Sequence, residues 1–270
     1  MDVLISSALV FALGAAIGSF INVVVYRLPT GQSLLYPASH CPHCGHALAP
    51  YDNVPILAWL WLSGRCRHCR RPIAKRYPLT ELGSGLVFLI SVWRLGWSWW
   101  TPAHWVFLSF LLALALIDIE TFTLPDGLTQ TGLVVGLVAQ GLVPGLQGEG
   151  LASVLTAMMG GVFGAVLGLW LYEVISLLAS LALGQVAMGG GDAKLAAMLG
   201  AWLGWQGLLL SSFLACGLGA LVGGGAIALG WLHRRQPMAF GPFLAIGAAL
   251  TVGWGEALVH LYRSLFFPAF

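Results

Sequence analysis

Charge is the scarcest property of this sequence. Its 270 residues include only twelve Lys or Arg and ten Asp or Glu, whereas 59% of the chain is hydrophobic. A soluble domain carries charge on about a quarter of its residues, because its surface has to face water. The composition therefore excludes an ordinary soluble domain and predicts an all-α polytopic membrane protein.

Several familiar signatures are also missing. The amino terminus lacks the basic segment of a secretory signal peptide, and its apolar run from Val3 to Tyr26 is long enough to cross a bilayer. The sequence contains no His-Glu-x-x-His motif and no evident Ser/His/Asp arrangement, which argues against zincin and serine-hydrolase chemistry.

Apolar runs of about 20 residues predict about eight transmembrane helices. Their approximate bounds are 3–26, 79–97, 103–119, 127–143, 151–172, 193–208, 209–232 and 240–262. The stretch 173–188 stays open, because it could extend the fifth span, lie along the membrane surface or re-enter the membrane. Many glycines lie within the spans, and they favour close packing of helices through small residues.

The basic residues orient the predicted spans. Ten of the twelve fall in four places, which are Arg27; the cluster Arg65, Arg67, Arg70, Arg71, Lys75 and Arg76; Lys194; and the pair Arg234 and Arg235. Eight crossings that start outside put all four places in the cytoplasm, as the positive-inside rule requires. Both termini are then expected outside, and the polar segment 27–78 inside.

Segment 27–78 is long enough for a small soluble module, and it contains two Cys-x-x-Cys pairs. The four cysteines are Cys41, Cys44, Cys66 and Cys69. Each pair can place two thiolates at adjacent corners of a tetrahedron, so that together they predict a structural Zn²⁺ site. Disulfides are the alternative, although thiols stay reduced in the cytoplasm. A neighbouring histidine could also replace one cysteine ligand.

Three aspartates stand where apolar spans begin or end. Asp118 ends the third span, Asp126 opens the fourth and Asp192 opens the sixth. The predicted topology brings Asp118 and Asp192 to the same membrane depth, where acidic groups are expensive and therefore point to function. A simpler role stays open for each aspartate, because Asp126 and Asp192 could cap helices and Asp118 could be an interfacial anchor.

Two aspartates at one site predict acid–base chemistry. They do not both ionise easily, so one stays protonated and polarises a carbonyl while the other takes a proton from water. The helix start behind Asp192 favours its anion, which makes Asp192 the expected base and Asp118 the acid. This is the chemistry of aspartyl proteases.

Five ordered motifs join these features: GSFINVVVYRLP at 18–29, CPHCGHALAPYDNVPILAWLWLSGRCRHCRRPIAKRYPLTE at 41–81, IDIETFTLPD at 117–126, MGGGDAKLAAMLGAWLGW at 188–205 and FGPFLAIG at 240–247. With them the sequence resembles the bacterial type IV prepilin peptidases, membrane aspartyl proteases of the Gly-x-Gly-Asp type. The resemblance implies that Asp118 and Asp192 are the catalytic pair. The residues expected to support them are Gly189, Gly191, Lys194 and Asp126.

The resemblance further implies two activities in the bacterial inner membrane. Members of the family cleave the leader of type IV prepilins and type II secretion pseudopilins at the cytoplasmic face. Many then methylate the new N-terminal residue with S-adenosylmethionine, whose site no glycine-rich Rossmann fingerprint locates here. The expected partners are these precursors and the lipid bilayer, without nucleic acid. The expected domains are a first helix at 1–26, a zinc module at 27–78 and a protease core of about seven helices at 79–270.

Other functions stay open at this point. The chain could be a peptidase without methyltransferase activity. It could also be a proton-coupled transporter that uses its acids as a relay, although the candidate acids lie near one face of the membrane. A zinc-stabilised membrane scaffold without catalysis is the third alternative.

Overall fold

The computed structural model describes residues 2–184, 188–231, 233 and 238–267. Within these ranges the chain forms eight α-helices and one short 3₁₀ helix, and no extended strand. The α-helices are α1 (Asp2–Arg27), α2 (Leu57–Trp61), α3 (Arg76–Leu95), α4 (Trp100–Thr121), α5 (Asp126–Leu146), α6 (Leu151–Leu183), α7 (Gly190–Ala228) and α8 (Gly241–Phe266); the 3₁₀ helix is Pro50–Asn53. The predicted all-α class is confirmed.

Six helices in the described part of the chain are long and apolar enough to cross a membrane, namely α1 and α4 to α8. The difference from the eight predicted spans lies in α3 and α7. Helix α3 covers most of the predicted span 79–97. It is less apolar than the six candidate helices, because it contains Arg76, Glu81 and Arg94. Helix α7 contains two predicted spans in one element.

A break inside α7 accounts for those two spans. Gly204 has φ 66° and ψ −179°, which is not helical, and it separates arms of residues 190–203 and 205–228. The left-handed φ at this position suits glycine, which has no Cβ to clash. The break lies four residues before the boundary that the sequence predicts, at 208/209.

The chain reverses its direction at this break. The first arm begins near Asp118, since Asp192 lies within range of the Asp118 charge. Helix α8 also begins there, because the N–H of Gly241 donates to Asp118 Oδ2. The second arm then packs antiparallel on α8, since position 207 lies against Thr251 while position 219 lies against Phe240 and Phe243. The second arm therefore returns to the end of the helical bundle from which the first arm starts.

The structure describes most of the stretch 173–188, whose path the sequence leaves open. Helix α6 continues unbroken to Leu183, so that residues 173–183 extend the fifth predicted span. Residues 185–187 lie outside the described ranges, as do Arg234 and Arg235, on which part of the predicted orientation depends.

The chain divides into two compact units, Met1–Trp97 and Ser98–Phe270. The first unit combines α1, α2 and α3, with α1 packed along α3. It also contains Cys41, Cys44, Cys66 and Cys69, and residues 27–78 around them are called the tetracysteine segment. The second unit combines α4 to α8, in which α7 contacts α5, α6 and α8. The finer division expected at residues 26 and 78 stays a prediction.

The crossing of α6 and α7 needs small residues. A Cβ atom at Gly200 would lie 2.0 Å from the carbonyl oxygen of Gly164, which is backbone and cannot move aside. The two helices therefore meet backbone to backbone, the kind of packing that the many glycines predict.

We expect Gly200→Ala to destabilise this crossing by about 1–3 kcal/mol, the usual range for overpacking a tight contact. Gly217→Ala is the matched control, because a Cβ there meets no described atom within 4 Å. The midpoint of thermal unfolding in detergent should fall for the first variant and stay constant or rise for the second. Equal midpoints for the two variants would contradict the close crossing.

Candidate functional site

Asp118 and Asp192 lie together at one end of the second unit. Asp118 is in the last turn of α4, and Asp192 is the third residue of α7. Both residues are buried, with 5% and 9% of their surface exposed, and the charge of Asp118 acts on Asp192. The structure thus brings together the two aspartates that the sequence places at one depth.

The turn after α4 keeps the next helix close to Asp118. Phe122 adopts the left-handed conformation, with φ 53°, and its N–H donates to the carbonyl oxygen of Asp118 at 2.9 Å. Pro125 follows as the N-cap of α5, where its fixed φ suits the start of a helix. The chain therefore reverses within four residues, and α5 begins near the end of α4.

The start of α8 holds the Asp118 side chain. The backbone N–H of Gly241 donates to Asp118 Oδ2 at 2.9 Å, in a buried hydrogen bond. A Cβ atom at position 241 would lie only 2.6 Å from the same oxygen. Only glycine therefore allows α8 to approach this carboxylate so closely.

Asp192 does not serve as a helix cap. The N-cap of α7 is Gly189, and among the described residues no side chain caps α7 or α5. The Asp192 N–H donates to the Gly189 carbonyl at 3.2 Å, while its side chain is buried. The structure therefore excludes the alternative that Asp192 caps α7.

The glycines before Asp192 differ in their surroundings. A Cβ atom at Gly191 would lie 2.9 Å from the Cβ of Leu124, so that this glycine packs on the link between α4 and α5. A Cβ at Gly189 would meet no described atom within 4 Å. Gly191 therefore packs closely against the protein, whereas the space beside Gly189 is open.

Lys194 and Asp126 form an ion pair with each other. The Nζ atom of Lys194 lies 2.5 Å from Asp126 Oδ1, and both side chains are substantially exposed. The pair joins the first turns of α5 and α7. Because exposed ion pairs contribute little stability, the pair links the two helix starts without adding much to the stability of the fold.

Sequence reasoning missed two neighbours of the aspartates. Gly241 was visible only as the glycine that precedes a proline at the start of the last apolar run, in the motif FGPF. Tyr172 is 4% exposed, lies within range of the charge of Asp192 and donates from its hydroxyl to Ser212 Oγ at 2.9 Å. In the sequence, a single tyrosine in an apolar helix cannot be distinguished from an ordinary core residue.

The four cysteines of the first unit are presented by two similar loops. In the first, the Cys41 N–H donates to the His46 carbonyl and the Gly45 N–H donates to the Cys41 carbonyl, each at 2.9 Å. In the second, Cys66 makes the same two bonds, with Arg71 at 2.9 Å and with Arg70 at 3.0 Å. Each Cys-x-x-Cys pair is therefore a tight knuckle.

The cysteine sulfurs fit a metal ion. All four Sγ atoms lie within 4.8 Å of one another, and within the described residues no histidine joins the cluster. The Sγ atoms of Cys41 and Cys69 are 3.8 Å apart, which matches the edge of a tetrahedron with metal–sulfur bonds of about 2.3 Å. Burial raises the pKa of the Cys41 thiol, but the N–H groups of His43 and Cys44 and nearby thiols lower it to about 7 overall. Four sulfurs that converge in this way can bind a metal ion.

Arginines fasten the segments around this cluster. Arg27 at the end of α1 is buried and donates to the carbonyl oxygens of Ser33, at 3.0 Å, and Pro37, at 2.7 Å. Arg67 forms an ion pair with Asp52 at 2.8 Å. These two arginines are therefore structural links as well as cytoplasmic charges in the predicted topology.

Two family models match the chain, and they follow its two units. The Bacterial Peptidase A24 N-terminal domain matches residues 12–95, which include the tetracysteine cluster. The Type IV leader peptidase family matches residues 105–224, which include both buried aspartates. No solved structure matches the chain.

Curated proteins named prepilin leader peptidase/N-methyltransferase are similar over almost the whole chain. The protein from Aeromonas hydrophila is 38% identical across 96% of this chain and 94% of its own length. That from Burkholderia pseudomallei (strain K96243) is 41% identical across 92% and 85%, and that from Pseudomonas aeruginosa is 37% identical across 97% of each. Together with the buried aspartates and the tetracysteine cluster, these matches show that the chain belongs to the type IV leader peptidase family.

Proposed function

We propose that this chain removes the leader peptide of type IV prepilins and type II secretion pseudopilins and then methylates the new N-terminal residue. The observation that carries the peptidase part is the buried pair of Asp118 and Asp192, which two helix ends bring together. The methyltransferase part is supported by the names of the relatives, which include both activities. Those relatives match 96% and 97% of this chain.

The two carboxyl groups supply acid and base without any other nucleophile. The ionised one takes a proton from water, the water attacks the scissile carbonyl, and the protonated one donates to the carbonyl oxygen. The Gly241 N–H donates to Asp118, and a donor of this kind supports negative charge on its acceptor. We therefore place the base on Asp118 and the acid on Asp192, the reverse of the roles expected from the sequence, although the pair acts as one unit.

The site suits a substrate that approaches from the membrane surface. Asp118, Asp126, Asp192 and Gly241 all lie at the ends of helices rather than at their centres. The positive-inside rule places this end, the tetracysteine segment and the leader in the cytoplasm, with both termini in the periplasm. A prepilin presents its leader there and its hydrophobic helix in the bilayer. A proton relay would need acids across the membrane, which argues against the transporter.

The tetracysteine cluster is proposed to bind a structural Zn²⁺ ion. Four thiolates leave no open coordination position, as in structural rather than catalytic zinc sites. The surrounding segment is short and has few buried side chains of its own, so that the metal would stabilise its fold.

We expect Asp118→Asn and Asp192→Asn each to lower the rate of prepilin cleavage by at least about a thousandfold, because either change removes one of two groups that act as a unit. Asp126→Asn is the matched control, since it alters an exposed ion pair at the same end of the bundle. It should slow cleavage by less than about tenfold. Cleavage by purified protein in detergent measures both effects. Retained activity in either buried variant would rule out the proposed pair.

We expect Gly241→Ala to reduce cleavage by about a hundredfold, because the added methyl group would displace the Asp118 carboxylate. Gly253→Ala in the same helix is the control, since a Cβ there meets no described atom within 4 Å. Single-turnover rates of the two variants should differ, with similar thermal stability. The role given to Gly241 fails if both variants cleave at the wild-type rate.

We expect Cys41→Ser and Cys66→Ser to lose bound zinc, because each removes one of four thiolates. Cys216→Ser is the control, since Cys216 lies in α7 and does not belong to the cluster of four cysteines. Elemental analysis of the purified proteins should find about one zinc per chain in the control and much less in the other two. Methylation should fall further than cleavage in the zinc-free variants. Equal zinc contents in all three variants would contradict the site.

A further inference from the structure

A cavity of about 420 Å³ lies within the first unit. Its walls come from the end of α1, the tetracysteine segment and the start of α3. The volume falls in the range of pockets that hold small organic ligands. All of its lining residues lie between Ser19 and Glu81, and neither Asp118 nor Asp192 is among them.

Hydrogen bonds between separate segments fix the walls of the cavity. The Ile56 N–H donates to Glu81 Oε2 at 2.6 Å, and the Asn22 amide donates to the Tyr77 carbonyl at 3.1 Å. The Trp59 indole donates to the Ile73 carbonyl at 3.2 Å. The cavity is therefore largely formed before any ligand enters, as small-molecule sites usually are.

Backbone strain occurs at the same place. Ile56 has φ 62°, a conformation that a β-branched residue rarely adopts. Its N–H is the group that donates to Glu81, so the strained residue is held against the wall of the cavity. Strained residues of this kind cluster at ligand sites.

The lining favours a ligand with a flat ring and a positive charge. Tyr26, Trp59 and Tyr77 contribute aromatic rings to the lining, and aromatic rings attract both ring systems and cations. Glu81 is 8% exposed, and Ile56 and Ser19 take only two of the about four acceptor positions of its carboxylate. A buried carboxylate with remaining acceptor capacity favours a cation and disfavours a phosphate.

The cavity can also accept a carboxylate. Arg71 and Arg76 contribute to its lining, and guanidinium groups bind carboxylates through paired hydrogen bonds. A ligand that combines an aromatic ring, a cationic centre and a carboxylate matches these aromatic, acidic and basic groups, and S-adenosylmethionine has all three.

We propose that this cavity binds S-adenosylmethionine, with its adenine and sulfonium groups among the aromatic side chains and Glu81, and its carboxylate near Arg71 and Arg76. The inference rests on the proposed methyltransferase activity and gives it a place in the first unit. The two activities then have separate sites, one for each unit.

Binding of radiolabelled S-adenosylmethionine to the purified full-length protein tests the site without using activity. Glu81→Gln keeps an acceptor for the Ile56 N–H and removes the charge, so we expect its Kd to rise about tenfold. Glu256→Gln, an exposed glutamate of the second unit, is the matched control and should bind as the wild type does. Trp59→Leu should also weaken binding. Wild-type rates of prepilin cleavage and wild-type zinc contents in these variants show that they are folded.

Photocrosslinking of the bound label locates the site independently of any substitution. We expect the label on peptides from residues 19–81, and label confined to residues 98–270 would overturn the proposal. Wild-type affinity in both Glu81→Gln and Trp59→Leu would overturn it as well. Asp192→Asn should bind the label normally while it fails to cleave prepilin. A wild-type protein that cleaves but does not bind the label would reject this site and the methyltransferase activity, and would leave the peptidase intact.

Discussion

The structure of the second unit depends on the difficulty of burying two carboxyl groups side by side in an apolar bundle. A buried carboxylate is strongly destabilising unless donors or a shared proton compensate it. Asp118 receives a backbone N–H from the start of α8, and Asp192, as the proposed protonated partner, carries no charge that has to be compensated. This arrangement exists only because the end of α4 meets the starts of α7 and α8.

Turn, proline and glycine residues of this unit bring the helix ends together. The left-handed turn at Phe122 and the following Pro125 begin α5 beside the end of α4. Gly241 lets α8 reach the Asp118 carboxylate, and the break at Gly204 returns the second arm of α7 to the same end. The tetracysteine segment of the first unit has a different basis, because four thiolates around a metal would replace a hydrophobic core there. One unit is thus organised around buried acids and the other around a cysteine cluster and a preformed cavity.

The sequence predicts those features that follow from composition and spacing. The all-α class follows from the apolar runs, and the cysteine cluster follows from two short, regular motifs. Span lengths and the positions of the charges predict one depth for Asp118 and Asp192, and the structure brings the two residues together. The break at Gly204 was misplaced by four residues, because glycines are frequent throughout these helices and only its φ distinguishes this one. The pairing of Lys194 with Asp126 and the bond from Gly241 to Asp118 join residues 68 and 123 positions apart, and no local pattern encodes them.

The central claim is that Asp118 and Asp192 act as one catalytic unit. A double-substitution cycle under single-turnover conditions tests it most directly, with Asp118→Asn, Asp192→Asn and the two changes combined. If the pair is one unit, the residual cleavage rate of the combined variant should equal that of the slower single variant, since either change already removes the whole function. Rate losses that multiply in the combined variant would show two independent contributions and contradict the account.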